Sequence, residues 1–538
     1  MNRLEAFALV ALLLLGCLFT ADHDAWTPDE PRVVALGQSV ARGSWVVPRL
    51  DGEPFLEQPP FHAWSVALAY RALGESVTVA RSVSVLFSLL TLGVTFLLGE
   101  RLASRRVGAL AALLLGTSFL FFYCEHRVTS DPPLALFVAG STLASLIGLT
   151  SERPRERLLG LFLAYALASL AYLSKGVVGV GLAGFGFLAV VIAERDLRLL
   201  LRAKLWLAPI IFAVVTGAYH FGLYEELGLT GVKTVVLTNT IERAGTDSQH
   251  AHWPHYYFWA FPLNFLPTTP FFLGGVLWYR KTRSKAFVLP LAWFALGFVG
   301  LTLPQSKREV YLLSILPGAA LVSALWLEEV LARRDDGALA RFLPEVLAGL
   351  VLLLGFALPG AAVYLERPPL VPALAGSLGV ATALFAFVQL SRGKTGSGLA
   401  LVLVGALPVL AAADRAFVPY VDERKALGDV VRAAVSLVPQ GRALYVICPD
   451  ETALGVIPFY GGRDVAMIPT ALGAVDPFHE APALLAAHLH GERELWALAI
   501  EKNRDEPFFS CVRPLGPEIV FSWSGTRPGR LLRFRDRR

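Results

Sequence analysis

The stretch DEPRVVALGQSVARGSWVVPRLDGEPFLEQPPFHAW, residues 29–64, separates two strongly apolar runs near the N-terminus. Apolar side chains recur at helical spacing from residue 28 to 43 and again from 58 to 74, and both segments end at a glycine. This spacing is typical of amphipathic helices, and a glycine often marks the position where a helix stops. The stretch therefore predicts a long loop outside the bilayer, with two helices that lie on the membrane surface.

The composition of the whole chain indicates a membrane protein. Of the 538 residues, 55% are hydrophobic and 17% are charged, and the mean hydropathy is +0.56. Soluble domains carry about 25% charged residues, so this apolar excess predicts a polytopic α-helical membrane protein rather than one large core. The net charge of +5 is no argument for a nucleic-acid partner, because positive charge in membrane proteins gathers in cytoplasmic loops.

Apolar runs long enough to cross a bilayer, which takes about 20 residues, recur along the first three quarters of the chain. They are predicted at approximately 5–20, 79–98, 108–123, 132–150, 158–173, 177–193, 205–221, 256–278, 286–303, 310–327, 343–364, 371–390 and 398–413. The loops on one side are short and rich in Arg and Lys, which places them and the N-terminus in the cytoplasm. These loops are residues 100–106, 151–157, 194–204, 279–285, 328–341 and 391–398.

The opposite side carries the longer segments 21–78, 222–255 and 414–538. The last of these alternates polar and apolar stretches, as a folded α/β domain does. Strands are predicted at 442–449 and 463–469, and a helix at 481–490. We therefore expect a transmembrane domain at 1–413 and a small α/β domain outside the membrane at 414–538.

The N-terminus and the four cysteines leave alternatives open. The sequence LLGC, which ends at Cys17, resembles a lipoprotein cleavage site, but the apolar run continues beyond it and favours a retained first transmembrane helix. The other cysteines are Cys124, Cys448 and Cys511, and no C-x-x-C pair exists, so no structural zinc site is expected. Cys448 and Cys511 could pair in an extracytoplasmic tail, but the sequence does not fix their distance.

The segment TPDEPR, residues 27–32, has a structural and a functional interpretation. As a helix start, Thr27 is the N-cap, Pro28 the first helical residue and Glu30 the partner in a capping box. The cap accounts less well for Asp29 and Arg32, which lie three positions apart on one helix face at the membrane boundary. These two residues are therefore candidates for an active site.

Here the sequence resembles a known family. Residues 29–64 are similar to the first periplasmic loop of the bacterial GT-C glycosyltransferases related to protein O-mannosyltransferases and lipid A aminoarabinose transferases, the ArnT-like members of glycosyltransferase family 39. The typical pattern is D-E-x-R, then W-x-V-P-x-L-x-G, then an aromatic residue, one further residue and E-K-P-P. Further similar motifs follow in order: RVTSDPPLALF (127–137), LSKGVVGV (173–180), NTIERAGTDSQHAHWPHYYF (239–258) and SKREVYLLSILPGAAL (306–321). The resemblance implies a GT-C fold of about 13 transmembrane helices with a small periplasmic domain.

The resemblance also implies a reaction and its residues. A sugar would move from a polyprenyl-phosphate-linked donor to a lipid, glycan or protein acceptor at the periplasmic face of the bacterial inner membrane. Carboxylates suit the general base, and cations suit the departing phosphate. The implied catalytic residues are Asp29, Glu30 and Asp131. The implied donor phosphate-binding residues are Arg32, Lys175, Arg243, Lys307 and Tyr311. Glu57 and His250 would hold a divalent, zinc-like ion.

Two positions depart from the family pattern. The lysine of E-K-P-P is Gln58 here, and the aromatic residue two positions before the glutamate is Phe55 rather than tyrosine. The resemblance assigns both positions to the carrier phosphate. Their replacement implies that this chain takes another sugar or acceptor than the lipid A enzyme does.

Other functions and simpler roles compete with this one. A transporter or flippase of lipid-linked sugars should carry its charges on broken helices near the midplane, often in repeated halves, whereas the acids here lie in outer loops and no repeat is visible. A non-catalytic relative that binds glycans is the third alternative. Lys175 could merely extend its charge to water at a helix end, and Cys124 is expected to be a packed thiol.

Overall fold

The computed structural model describes residues 23–27, 29–238, 251–332, 334, 337–447, 451–463, 465–468, 483, 485, 487–488, 494–501, 512–524 and 527–535. These residues group into two compact units. The helical unit contains residues 56–62 and 81–417. The mixed unit contains the described residues of 22–55, 63–80 and 418–538.

Helices dominate the described chain, as the apolar runs predict. They are α1 (Asp29–Ala41), α2 (Phe61–Leu73), α3 (Val77–Leu102), α4 (Arg105–Gly116), α5 (Phe119–Glu125), α6 (Asp131–Thr150), α7 (Pro154–Lys175), α8 (Val177–Glu194), α9 (Leu199–Arg202), α10 (Leu207–Lys233), α11 (Tyr256–Asn264), α12 (Thr269–Thr282), α13 (Val288–Thr302), α14 (Leu316–Leu331), α15 (Ala338–Tyr364), α16 (Leu370–Ser391), α17 (Thr395–Lys425), α18 (Gly428–Ser436) and α19 (Glu451–Gly461). A 3₁₀ segment at Glu309–Ile315 leads directly into α14.

Within the described residues, 10 helices are long and apolar enough to cross a membrane, and up to 12 spans result if two bent pairs are each one span. The polytopic helical fold is thus confirmed. The first predicted span, 5–20, lies outside the described residues. The closely spaced spans predicted at 158–173 and 177–193 are separate helices, α7 and α8, joined at Gly176 with a φ of 63°.

Two spans predicted as continuous are wrong in that respect, because the chain bends within them. Helices α4 and α5 meet at 72°, and α11 and α12 meet at 112°. At the first bend the Ser118 hydroxyl donates to the carbonyl oxygen of Leu115 at 2.7 Å, which competes with continued helix. At the second bend Pro267 and Pro270 lack the N–H groups that a helix interior needs.

Small residues let the membrane helices approach one another closely. Gly148 of α6 faces Gly160 of α7, and a methyl group built on Gly160 would lie 2.6 Å from the backbone nitrogen of Gly148. Lipid tails supply little hydrophobic driving force between helices, so such close backbone packing contributes much of the association. This contact fixes α6 beside α7, and these two helices carry Asp131 and Lys175.

The mixed unit is built on a five-stranded sheet from the C-terminal part of the chain. Its strands are β3 (Leu444–Ile447), β4 (Ala466–Ile468), β5 (Glu494–Ile500), β6 (Glu518–Trp523) and β7 (Gly529–Arg535), in the order β4-β3-β5-β7-β6. Strands β4, β3 and β5 are parallel, and β7 runs antiparallel to both β5 and β6. A separate two-stranded hairpin pairs β1 (Arg49–Leu50) with β2 (Glu53–Pro54).

Both faces of this sheet are covered. Leu444 and Val446 of β3 lie in one buried cluster, which includes residues of α18 and α19. Tyr445 and Ile447 lie in the buried cluster on the other face. Strands buried on both faces read as continuous apolar runs, which is why LYVI was recognisable as a strand from its sequence.

Several predicted boundaries differ from the structure. The surface helices predicted at 28–43 and 58–74 are helices, α1 and α2, while their position on a membrane stays a prediction. The loop predicted at 222–255 is wrong in its first part, because α10 continues to Lys233 across a kink at Gly228. The boundary predicted at 413/414 falls inside α17, which runs unbroken to Lys425. The helix predicted at 481–490 lies largely outside the described residues.

Candidate active site

The first turn of α1 holds a charged pair and an aromatic partner within the mixed unit. Asp29 is the first helical residue, and its Oδ1 atom accepts a hydrogen bond from Arg32 Nη2 at 3.3 Å. The guanidinium of Arg32 also lies 5.6 Å from the centre of the Phe55 ring. The Asp29 side chain is 34% exposed and that of Arg32 is 13% exposed. A carboxylate that solvent can reach is thus held next to an arginine with a fixed orientation.

Glu30 has a different role from its neighbour. It is fully buried, and its Oε2 atom accepts a hydrogen bond from the backbone N–H of Trp26 at 2.8 Å. The predicted capping box paired the Glu30 side chain with the backbone N–H of Thr27, but the observed donor is the N–H of Trp26, one residue earlier. Pro28 lies outside the described residues. A buried carboxylate engaged with a backbone donor is poorly placed to take a proton from another molecule, whereas solvent reaches the carboxylate of Asp29.

The helical unit buries a second charged pair. Asp131 is the first residue of α6 and Lys175 the last residue of α7; they are 3% and 8% exposed and form an ion pair. Thr129 donates a hydrogen bond to Asp131 Oδ2 at 2.7 Å, and the Lys175 ammonium lies 4.6 Å from the centre of the Tyr311 ring. The simple interpretation of Lys175 as a cation reaching for water is therefore wrong. The structure brings Asp131, Lys175 and Tyr311 together, while their roles in a reaction stay predictions.

Lys307 is a buried cation of another kind. It is 2% exposed, and its ammonium donates to the carbonyl oxygens of His252, at 3.1 Å, and Pro304. Among the residues that the structure describes, it has no carboxylate partner. Burial lowers the pKa of Lys307. A buried charge held only by neutral acceptors costs free energy, and an anion next to it would relieve that cost.

The predicted metal ligands are Glu57 and His250, and Arg243 is a predicted phosphate ligand. Glu57 is exposed, while Arg243 and His250 lie outside the described residues. Within the described part of the chain, no group of three or more His, Cys, Asp and Glu side chains could hold a metal ion. The pairing of Glu57 with His250 and the phosphate role of Arg243 therefore stay predictions.

The sequence interpretation missed His62, next to the Asp131–Lys175 pair. His62 is 4% exposed, and neither ring nitrogen has a hydrogen-bond partner among the described residues. Burial lowers the pKa of His62 to about 4; Asp131 acts against this shift, and Lys175 adds to it. The imidazole is thus neutral at pH 7. The only signal in the sequence was its position just after QPP, where it reads as one polar residue in an apolar helix.

This histidine should give the protein an acid-sensitive stability. The unfolded chain binds a proton at His62 below about pH 6.5, whereas the folded chain does so only near pH 4, so stability falls as the pH drops through this window. We expect His62→Phe to remove about 3 kcal/mol of the loss in unfolding free energy between pH 7.5 and 4. Denaturant unfolding of detergent-solubilised protein at several pH values measures it.

The exposed His255 offers a matched control. His255→Phe should leave the slope of stability against pH as it is in the wild type. Identical slopes for His62→Phe and the wild type would contradict a buried neutral imidazole.

Comparisons with known proteins agree with this architecture. The family model described as dolichyl-phosphate-mannose-protein mannosyltransferase matches residues 57–219. The structure is similar to that of ArnT from Cupriavidus metallidurans bound to undecaprenyl phosphate, with a TM-score of 0.77 at 19% identity, over 98% of this chain and 97% of that chain. The chain has the GT-C fold. A more distant likeness, with a TM-score of 0.50, joins this GT-C protein to the oligosaccharyltransferase AglB from Archaeoglobus fulgidus.

Sequence relatives of this GT-C protein are moderately similar. An uncharacterised protein of Aquifex aeolicus is 25% identical over 374 residues, 68% of this chain and 72% of the relative. An undecaprenyl phosphate-α-4-amino-4-deoxy-L-arabinose arabinosyl transferase of Pseudomonas fluorescens is 27% identical over 346 residues, 61% of this chain and 60% of the relative. The match thus spans less than two thirds of the length of that named transferase.

The two departures from the GT-C pattern have visible consequences in the structure. The side chain of Gln58 is uncharged, and its amide oxygen Oε1 accepts a hydrogen bond from the Ser130 hydroxyl at 3.0 Å. This bond links position 58 to the residue before Asp131. Phe55 covers the Arg32 guanidinium instead of offering a hydroxyl group. Neither position therefore offers the charge or the hydroxyl group that the family pattern has there.

Proposed function

We propose that this chain transfers a sugar from a polyprenyl-phosphate-linked donor to a lipid, glycan or protein acceptor of the bacterial envelope. The likeness to ArnT bound to undecaprenyl phosphate, over nearly the whole of both chains, carries this proposal. Asp29 at an exposed helix start and the buried cation Lys307 support it, because the reaction needs a base for the acceptor and positive charge for the carrier phosphate.

In the proposed reaction the Asp29 carboxylate takes the proton of an acceptor hydroxyl. The acceptor oxygen attacks the anomeric carbon of the sugar, and the bond between that carbon and the phosphate oxygen breaks with its electron pair on the phosphate. Polyprenyl phosphate leaves, and a new glycosidic bond remains. Asp29 suits this role because it is half-buried and open to solvent, whereas Glu30 is fully buried.

The leaving phosphate gains negative charge as the bond breaks. Lys307 is suited to stabilise it, since its buried ammonium has only carbonyl partners among the described residues. Arg32 and Arg243 are further candidates. Lys175 is already paired with Asp131, so we assign it to holding α6, α7 and Tyr311 in place for the donor.

We place the reaction on the periplasmic side of the inner membrane. If each bent pair is one span, the chain crosses the membrane with α3 as the first of 12 described spans. The basic loops then all join helix ends on one side, the cytoplasmic side by the charge rule. The opposite side then holds Asp131 at the start of α6, Lys175 at the end of α7 and Lys307 in the segment between α13 and α14. The C-terminal end of α17 lies on this side as well.

A divalent ion is part of the proposal but not of the mechanism derived above. Carboxylate and imidazole are a suitable donor set for a zinc-like ion, so Glu57 and His250 would hold it, and it would add positive charge near the carrier phosphate. Transfer assays with and without a chelator check this point. An enzyme that is indifferent to the chelator would contradict it.

Mass spectrometry of purified protein with a panel of polyprenyl-phosphate sugars and envelope extract tests the function. We expect the wild type to release polyprenyl phosphate and to form a product heavier by one sugar. Donors that stay intact with every extract, in a protein that binds them, would favour transport or glycan binding over transfer.

A further inference from the structure

The helix α19 of the C-terminal tail touches the first turn of α1 with backbone against backbone. A methyl group built on Gly455 would lie 2.6 Å from the carbonyl carbon and oxygen of Pro31 and 2.7 Å from the nitrogen of Arg32. Those neighbours are main-chain atoms, so they cannot rotate away as a side chain does. Only glycine permits this approach to the residues that follow Asp29.

Apolar packing continues the contact along α1. Leu454 of α19 is fully buried in a cluster with Ala35, Leu36 and Val40 of α1. The cluster also includes Leu50 of the hairpin strand β1. Besides the backbone contact at Gly455, α19 thus shares a buried apolar cluster with α1.

Hydrogen bonds hold the segment that precedes α1 to the same part of the chain. The Trp26 indole N–H donates to Asp422 Oδ1 at 2.9 Å, and the Ala25 N–H donates to the Tyr460 hydroxyl at 2.8 Å. Asp24 Oδ2 accepts from the backbone N–H of Gly428 at 2.9 Å. The buried Glu30 carboxylate accepts a hydrogen bond from the Trp26 N–H, which holds the same segment to the first turn of α1.

We infer that α19 residues Leu454, Gly455 and Tyr460, together with Asp422 and Gly428, position Asp29 for catalysis, and that Gly455 is a positioning residue of the reaction. This inference rests on the proposed function and gives the C-terminal tail a role in it. None of these residues needs to touch the substrate. They fix the position and orientation of the first turn of α1, which carries Asp29. Displacement of a reacting group by about 1 Å lowers the reaction rate on the order of 100-fold.

The test replaces Gly455 by alanine in the full-length protein. We expect Gly455→Ala to lower kcat by about 10- to 100-fold with the KM for the donor near that of the wild type. Gly461→Ala is the matched control, because Gly461 lies on the same helix and the three atoms nearest to its added methyl group all belong to the side chain of Val435, the first at 3.0 Å. This control should keep the wild-type kcat.

A milder variant guards against misfolding. Tyr460→Phe removes only the hydroxyl that accepts from the Ala25 N–H, and we expect it to lower kcat several-fold while the thermal unfolding curve stays close to the wild type. If Gly455→Ala and Tyr460→Phe are folded and both have the kcat of the wild type, the inference is overturned.

Hydrogen exchange separates this inference from the proposed function, since it needs no turnover. In Gly455→Ala the amides of residues 29–41 should exchange faster, while those of β5 and β7 stay protected. Faster exchange together with a wild type that transfers no sugar would keep the contact but remove its catalytic role. Unchanged exchange in an active wild type would overturn the positioning role alone.

Discussion

Replacement of Asp29 by asparagine should lower the rate of sugar transfer by about 10²- to 10⁴-fold, the usual contribution of a positioned general base. Asparagine is nearly the same size and can still accept the hydrogen bond from Arg32, so the fold should survive. The expected signature is a loss in kcat with the donor still bound. Single-turnover assays that follow release of polyprenyl phosphate measure it directly.

Two further carboxylates serve as comparisons for Asp29. Glu53→Gln changes an exposed acid in the same N-terminal segment and should leave transfer near the wild-type rate. Glu30→Gln keeps an oxygen that can accept from the Trp26 N–H, so it should have a much smaller effect than Asp29→Asn. If Glu30→Gln were inactive and Asp29→Asn active, the roles assigned to the two acids would be exchanged.

Replacement of Lys175 by methionine should destabilise the protein by about 3–5 kcal/mol, because it leaves the buried carboxylate of Asp131 without its partner. The double variant Asp131→Asn with Lys175→Met removes both charges and should recover most of that loss. Thermal or denaturant unfolding in detergent gives the unfolding free energies of the wild type, Lys175→Met and the double variant. We expect the double variant to remain poorly active, since Lys175 also lies against Tyr311.

An exposed ion pair of the same helical unit provides the control. Lys285 bonds to Glu194 at 2.8 Å, and its side chain is 70% exposed. Lys285→Met should cost no more than about 1 kcal/mol, as exposed pairs usually do. If both lysine variants had the same small effect, the pair at Asp131 would not be desolvated in the protein.

Local sequence patterns predicted the positions of the helices well, but they predicted the contacts among the candidate site residues less completely. The spacing in residues 29–64 indicated α1 and α2, and the apolar runs indicated the membrane helices, because both signals depend on neighbours within one or two turns. The bends between α4 and α5 and between α11 and α12 were missed, although Ser118, Pro267 and Pro270 are residues that interrupt a helix.

Contacts between distant residues left no such signal. Asp131 and Lys175 are 44 positions apart, and the charge of one residue says nothing about the burial of the other. Thr129, two residues before Asp131, is the kind of short-range partner that could have been anticipated. The approach of Gly455 to Pro31 could not, since a glycine in an apolar helix is compatible with many structures.

The contact between Gly455 and Pro31 joins residues 424 positions apart, and it orders events during synthesis. The first turn of α1 leaves the ribosome early, but α19 follows only after all the described membrane spans. At about 5–20 residues per second, the interval is roughly 20 to 80 seconds. During this time the first turn of α1 lacks the contact with Gly455 that fixes it. We therefore expect a nascent chain to stay inactive until α19 has folded against α1.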